Sequence, residues 1–308
     1  MSSTKEKLHL LRQGKVRDIY EYGDTLILVA SDRLSAFDRI ICEVPCKGQV
    51  LNQLSAWWFE KTKHIIPNHV IAIPYPNVTI AKKCVAIPIE VVVRGYITGT
   101  TDTSLWMQYT KGVRSAGDMI LLEGMKKNQQ LPHPIVTPTT KSDDHDRPIT
   151  SEEIISQGIL SKKQWDYVSD KAVKLYTFGA QVAKERGLIL VDTKYEFGFD
   201  TDGTILLIDE IHTPDSSRYW KADTYQGRIS QGLEPENFDK EFIRLWIKKH
   251  CDPYSRDPIP PIPEELTVEL SSRYKKIYEI LTESEIVCVP SDSLEERINS
   301  NIQSWLEK

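Results

Sequence analysis

Residues 188–211 read LILVDTKYEFGFDTDGTILLIDEI, and the architecture turns on this stretch. Two apolar runs flank Asp200-Thr201-Asp202-Gly203, a cluster of turn-forming residues. The stretch therefore reads as a hairpin of strands Leu188–Phe199 and Thr204–Ile211. Alternate side chains of a strand share a face, so Asp192, Lys194 and Glu196 line one side. A hairpin loop of even length sets Asp209 beside Glu196, and an odd one sets Glu210 there. Carboxylates this dense on a buried face repel one another unless cations lie between them. Lys194 is one such cation. A hard divalent ion with oxygen ligands, Mg²⁺ carrying nucleotide phosphates, fits as a second. The competing reading, a solvent-facing strand of alternating charge, sits badly with such apolar flanks.

Upstream, Val85–Val93 reads as a buried strand containing Glu90, which needs a partner there. Arg94 follows at i+4, on the same face. One reading pairs it structurally with Glu90. The other gives it to a phosphate, because Gly95, Thr98, Gly99, Thr100, Thr101, Thr103 and Ser104 come next. Earlier still, Val16–Tyr22 and Thr25–Ala30 flank Gly23-Asp24, a second hairpin. Gly14-Lys15-Val16-Arg17-Asp18 precedes it, with an adaptable backbone and two cations. The P-loop spacing is absent, and alone the segment reads as an exposed turn. Ser31–Asp38, SDRLSAFD, is a polar loop after a strand end, either a site loop or a capped turn.

Leu51, Leu54 and Trp58 have helical spacing within Val50–Lys61. Residues 112–149 are polar and carry prolines at 132, 134, 138 and 148, which marks a boundary or a mobile substrate loop. Thr150-Ser151-Glu152-Glu153 forms a capping box, and Trp165, Val168, Ala172, Leu175, Gly179 and Val182 form one face of a long helix ended by Gly187. Thr213–Arg218 offers a carboxylate, hydroxyls and a guanidinium directly after the second hairpin strand. Three C-terminal helices follow, marked by Phe242, Leu245 and Trp246, by Leu266, Leu270, Tyr274, Ile277 and Leu281, and by Leu294, Ile298, Ile302 and Trp305. Ser293–Glu296 forms a capping box for the last. This order gives an α+β class.

With 308 residues, 40% of them hydrophobic, the chain has room for about two domains and a core that needs no disulfide. Its five cysteines are scattered without zinc-ligand spacing, which suggests reduced thiols in a cytoplasmic protein. The net charge of −5 argues against a nucleic-acid partner, and Lys82-Lys83 and Lys126-Lys127 read as solvated surface. No apolar run is long enough to span a membrane, and the opening MSSTKEKLHLLRQGK lacks the core of a secretory signal.

IPIEVVVRGYITGT (87–100) and LVDTKYEFG (190–198) resemble the two signatures of the SAICAR synthetase family. GKVRDIY, SDRLSAFD, TKSDDHD and IDEIHTPDSSRYW fall in the family's order and spacing, over about residues 12–225. The resemblance implies an ATP- and Mg²⁺-dependent ligase of purine biosynthesis. In it the carboxylate of carboxyaminoimidazole ribonucleotide (CAIR) is activated as an acyl phosphate, and the amine of L-aspartate displaces phosphate to give SAICAR. It further implies that Gly14, Lys15, Arg17 and Lys194 meet ATP, and that Glu196 and Asp209 hold Mg²⁺. Arg94, Ser104 and Arg218 would take the ribonucleotide phosphate, Asp215 the ribose or imidazole, and Ser35 and Asp38 would line the substrate side. Lys141 and Asp146, in a mobile loop, would join Lys194 as catalytic residues near aspartate or the activated carboxylate. Thr100–Leu105 is longer than in members with Gly-Ser directly after the arginine segment, which weakens the transfer to Ser104. The implied fold is a small β-rich ATP lid, similar to protein kinases and ATP-grasp enzymes, over a larger α+β domain. The sequence reading cuts these at 1–110 and 111–308, in a chain acting as a monomer on small molecules. A kinase would share the lid but needs HRD and DFG motifs, which are missing. A nucleotide sensor without turnover would not need so many charged groups.

Overall fold

A computed structural model describes residues 8–37, 39–141, 147–238, 240–289 and 294–306. The chain forms two compact units: Met1–Lys61 with Asn68–Cys84 and Lys240–Lys308, and Thr62–Pro67 with Val85–Asp239. Both are assembled from non-contiguous stretches, so the single cut near residue 110 does not describe them. Residues 85–110 pair with later strands of the second unit, and the C-terminal helices return to the first.

The first unit opens with β1 (His9–Gln13), β2 (Arg17–Tyr22), β3 (Thr25–Ala30), β4 (Arg33–Ala36), β5 (Arg39–Glu43), α1 (Lys47–Thr62), β6 (Val70–Tyr75) and β7 (Val78–Lys82). Antiparallel pairing gives a five-stranded sheet in the order β1-β2-β3-β7-β6, with β4 and β5 as a separate pair. The expected hairpin pairs from Arg17↔Ala30 to Tyr22↔Thr25, and Gly23 takes the positive φ (54°) of its turn. Leu51, Leu54 and Trp58 of α1 are fully buried, as their spacing requires.

The second unit contains β8 (Val85–Ala86), β9 (Ile89–Ile97), α2 (Leu105–Thr110), β10 (Ser115–Ala116), β11 (Met119–Ile120), β12 (Gln129–Val136), β13 (Thr139–Thr140), α3 (Ser151–Ser156), α4 (Lys162–Glu185), β14 (Leu188–Phe199), β15 (Ile205–Ile208), β16 (Ser217–Lys221) and α5 (Ala222–Ser230). Its main sheet runs β12-β9-β14-β15, with β13 on β9, and β8 and β16 on β14. Residues 112–149 are thus not a plain loop. Pro132 and Pro134 lie in β12 between the paired residues Gln130 and Ile135, where the register shifts, and β12 is a terminal strand of the sheet order. Prolines, lacking an N–H to donate, are tolerated at such edges and irregularities. Thr150 and Glu153 do form the reciprocal capping box, but on the short α3; Ser161 and Gln164 form a second one that opens α4. The buried face of α4 includes Trp165, Val168, Ala172, Leu175 and Gly179, as expected.

The chain then returns to the first unit as α6 (Glu241–His250), α7 (Glu264–Thr282) and α8 (Leu294–Leu306). Ile243 and Ile247 carry the buried face of α6, whereas Leu245 is 42% exposed. They join Val50 and Leu51 of α1 and Leu270 and Tyr274 of α7 in one apolar cluster. Ile302 and Trp305 of α8 pack with Ile27, Val78 and Ile80 of the β-sheet. The capping box expected at Ser293 lies outside the described residues. The reading of five reduced thiols is overturned, because Cys46 and Cys288 form a disulfide across 242 residues. The Gln49 side chain brings them together by donating to the Val289 carbonyl and accepting from its N–H, both at 2.9 Å. Among the described residues no helix is long and apolar enough to cross a membrane.

Candidate functional site

In the second unit the charged face of β14 is built as its alternation requires. Lys194 Nζ lies 3.0 Å from Glu90 Oε1, 2.6 Å from Glu196 Oε1 and 3.9 Å from Asp209 Oδ2. Lys141 Nζ bonds the second oxygen of Glu196, and Thr139 Oγ1 donates to Glu90 at 3.4 Å. Burial disfavours the charged lysine, but Glu196, Glu90 and Asp209 outweigh it and raise the Lys194 pKa well above its ordinary value. Burial likewise disfavours the Glu196 carboxylate, and Lys194 and Lys141 together hold its pKa well below the usual range. Lys194 and Glu196 are therefore both charged at neutral pH.

Asp209 reaches this cluster by a route that alternation does not give. The strand pairs run from Phe199↔Ile205 to Glu196↔Ile208, leaving the odd loop 200–204. Continued alternation would bring Glu210 to the charged face, as an odd loop predicts. The strand instead stops at Ile208, and Asp209 adopts a left-handed backbone (φ 68°) that turns its carboxylate toward Lys194. Glu210 turns inward, is 8% exposed, and accepts from Thr213 Oγ1 at 2.5 Å.

The expected pairing of Glu90 with Arg94 does not form. Four residues along a strand span about 13 Å, too far for an ion pair, whereas cross-strand neighbours are about 5 Å apart. The register sets Arg94 opposite Asp192. Arg94 Nη1 lies 3.4 Å from Asp192 Oδ2, and Arg94 Nε donates to Thr137 Oγ1 at 2.8 Å. Arg218 Nη1 reaches the same Asp192 oxygen at 2.5 Å. One buried carboxylate thus holds two guanidinia.

Beside Arg218, Gly99 has φ 102°, and a Cβ there would lie 2.4 Å from Ser104 Cβ and 3.2 Å from Arg218 Nη2. Ser104 is 2% exposed, and its Oγ has no hydrogen-bond partner among the described residues. A buried hydroxyl without a partner next to a guanidinium suits an anionic ligand oxygen. Arg94 also lines a cavity of about 390 Å³ with Thr103, Gln108, Thr137, Thr139 and Thr150. Asp215 is half-buried in the turn after β15, where its N–H and that of Ser216 both donate to Thr213 Oγ1 at 3.3 Å.

In the first unit Gly14 donates to the Arg17 carbonyl at 2.8 Å, and a Cβ on Gly14 would lie 2.6 Å from that oxygen. Arg33 clamps the same turn, bonding the Gly14 carbonyl at 3.0 Å and Asp18 at 2.6 Å. Lys15 is exposed on this turn and Arg17 half-buried at the start of β2. Ser35 is half-buried in β4. Asp32 accepts from the N–H groups of Cys46 and Gly48, at 3.3 and 2.8 Å, and so caps the start of α1. Much of the SDRLSAFD segment is accordingly structural. Asp38 and Asp146 lie outside the described residues.

Among the described residues no group of three or more His, Cys, Asp or Glu side chains forms a ready-made metal site. The oxygens of Glu196, Asp209 and Glu90 are the hard donors that suit Mg²⁺. This ion commonly takes one or two carboxylates and completes its shell with phosphate and water, so the residues present fit it. Alternation along single strands reveals neither the Lys194 partner of Glu90 nor the role of Asp192; the cross-strand register connects both.

A SAICAR synthetase family profile matches residues 10–261. The chain is 56% identical over 295 residues to the phosphoribosylaminoimidazole-succinocarboxamide synthase of Legionella pneumophila strain Paris, covering 96% of this chain and 95% of that one. Its structure resembles the SAICAR synthase of Saccharomyces cerevisiae complexed with SAICAR, with a TM-score of 0.77, 32% identity, and coverage of 93% and 98% of the two chains. It also resembles a type-2 SAICAR synthetase in complex with ADP, with a TM-score of 0.69, 27% identity, and coverage of 91% and 100%. A match of this length, at this identity and on this fold, places the chain in the SAICAR synthetase family.

Proposed function

We propose that this chain catalyses the family reaction, the ATP-dependent joining of L-aspartate to the carboxylate of CAIR to give SAICAR, ADP and phosphate in purine biosynthesis. The observation that carries the assignment of roles is the cluster of Lys194 among Glu90, Glu196 and Asp209, with Lys141 beside it. Joining two anions through an acyl phosphate is chiefly a matter of positioning and charge neutralisation, which such a cluster supplies. Glu196 and Asp209 would hold Mg²⁺, which when bound neutralises phosphate charge. Lys194, kept protonated by its neighbours, would sit at the ATP phosphates, and Lys141 and Asp146 near aspartate or the activated carboxylate. Gly14, Lys15 and Arg17 of the first unit would meet ATP.

Arg94, Arg218 and Ser104 would take the ribonucleotide phosphate, Asp215 its ribose or base, and Ser35 and Asp38 would line the substrate side. Asp192 would hold the two guanidinia in place. The chain would act as a monomer. A cytoplasmic setting suits a ligase supplied with ATP and aspartate. Asp209→Asn should fold normally and lose at least ~100-fold in turnover. Near-normal turnover at ordinary Mg²⁺ would overturn the assignment of Asp209.

A further inference from the structure

Behind the charged face of β14 lies a buried pair that the reaction as described does not use. Tyr195 stands between Lys194 and Glu196 and so projects from the opposite side of the strand. It is fully buried, and its Oη lies 2.5 Å from Nε2 of His212, itself 0% exposed. His212 follows Asp209 by three residues and, like Asp209, has a left-handed backbone (φ 53°). Its carbonyl accepts from Tyr219 Oη at 2.7 Å. Its ring occupies the space above Gly179 of α4, where a Cβ would lie 2.3 Å from His212 Cε1. The ring is therefore held between Gly179 of α4 and Tyr195 of β14, while Tyr219 of β16 anchors its backbone carbonyl.

This arrangement bears on Asp209. Left-handed backbone is disfavoured for residues other than glycine, so two such residues flanking Glu210-Ile211 need external restraint. The bonds to Tyr195 and Tyr219 supply it. Because Tyr195 adjoins Glu196, the Tyr195–His212 bond ties the strand bearing one carboxylate to the turn bearing the other. Burial drives the pKa of His212 down to about 3, so the ring stays neutral and the bond persists at physiological pH.

We infer that Tyr195 and His212 are positioning residues that set the spacing of the Glu196 and Asp209 carboxylates for a divalent cation. The inference rests on the proposed metal role of those two carboxylates. It is tested in the full-length protein by Mn²⁺ binding in the presence of ADP, followed by electron paramagnetic resonance, alongside thermal melts and the Kd for the ribonucleotide. Tyr195→Phe, which removes a single oxygen, and His212→Phe, which keeps the ring volume, should each weaken Mn²⁺ binding about 5–10-fold, as expected for loss of one hydrogen bond. Affinity for the ribonucleotide should stay within about twofold of wild type. His212→Gln, whose amide can still bond Tyr195, should recover most of the Mn²⁺ affinity.

A merely structural pair would lower the melting temperature and leave Mn²⁺ affinity unchanged, and that result would overturn the inference. Glu196→Gln and Asp209→Asn serve as controls. If they lose Mn²⁺ while Tyr195→Phe and His212→Phe keep it, the positioning role alone is wrong. If the controls also keep it, the metal assignment fails and the inference fails with it.

Discussion

Ser104 presents the sharpest chemistry of any single residue here, because its hydroxyl is buried beside Arg218 and has no hydrogen-bond partner among the described residues. A hydroxyl that bonds nothing within the protein contributes little to folding, and its removal relieves an unmet desolvation penalty. Ser104→Ala should therefore melt at or slightly above the wild-type temperature while raising the KM for the ribonucleotide roughly 10–100-fold, the loss of one hydrogen bond to a charged group. A fall in stability with unchanged KM would make Ser104 structural. The residue types of this site are legible in the sequence: Arg94, Gly99 and Ser104 stand in one stretch and Arg218 in the polar segment after the second hairpin strand. Their pairing is not. Glu90 and Arg94 looked like partners only while one strand was considered alone, and the cross-strand register gave Glu90 to Lys194 and Arg94 to Asp192.

At the scale of the element, the hairpin of β14 and β15 shows where pattern reading stops. Period-two alternation placed Asp192, Lys194 and Glu196 correctly on one face. It could not place Asp209, because nothing in the sequence announces a left-handed aspartate immediately beyond a strand. The prolines of β12 misled for a related reason: they argue against a central strand but are compatible with a terminal one. The segment after β15 also carries a pH signature. The ordinary histidine pKa is about 6.5, whereas burial holds that of His212 near 3. Between those values the unfolded chain binds a proton that the native chain does not. Stability from this residue is thus full above about pH 6.5 and falls with pH by about 1.4 kcal/mol per unit down to about pH 3. Urea melts at pH 6.5 and 4.5 should show a larger loss for wild type than for His212→Gln, which does not titrate. Parallel losses would mean that His212 is protonated in the native state.

For the molecule as a whole, the sequence order hid the partition. Helical periodicity found α6, α7 and α8, but it carries no information about which core they join, and they pack on α1 and the first sheet. The Cys46–Cys288 disulfide was out of reach for the same reason, since 242 residues separate its ends. Closing so long a loop restricts the unfolded chain, a stabilisation on the order of 5 kcal/mol in the chain-entropy account. Reductant should lower the melting temperature by several degrees, and Cys288→Ser should melt like the reduced wild type and ignore reductant. Identical melts with and without reductant would show that the bond does not form in solution.

The central claim is the ligase reaction itself, and one measurement addresses it directly. The protein is incubated with MgATP, CAIR and ¹⁵N-labelled L-aspartate, and the products are resolved by mass spectrometry with ADP quantified in parallel. The account predicts one labelled succinocarboxamide nucleotide per ADP, with free phosphate released only when all three substrates are present. A phosphorylated product without label, or ADP release that is indifferent to aspartate, would contradict it.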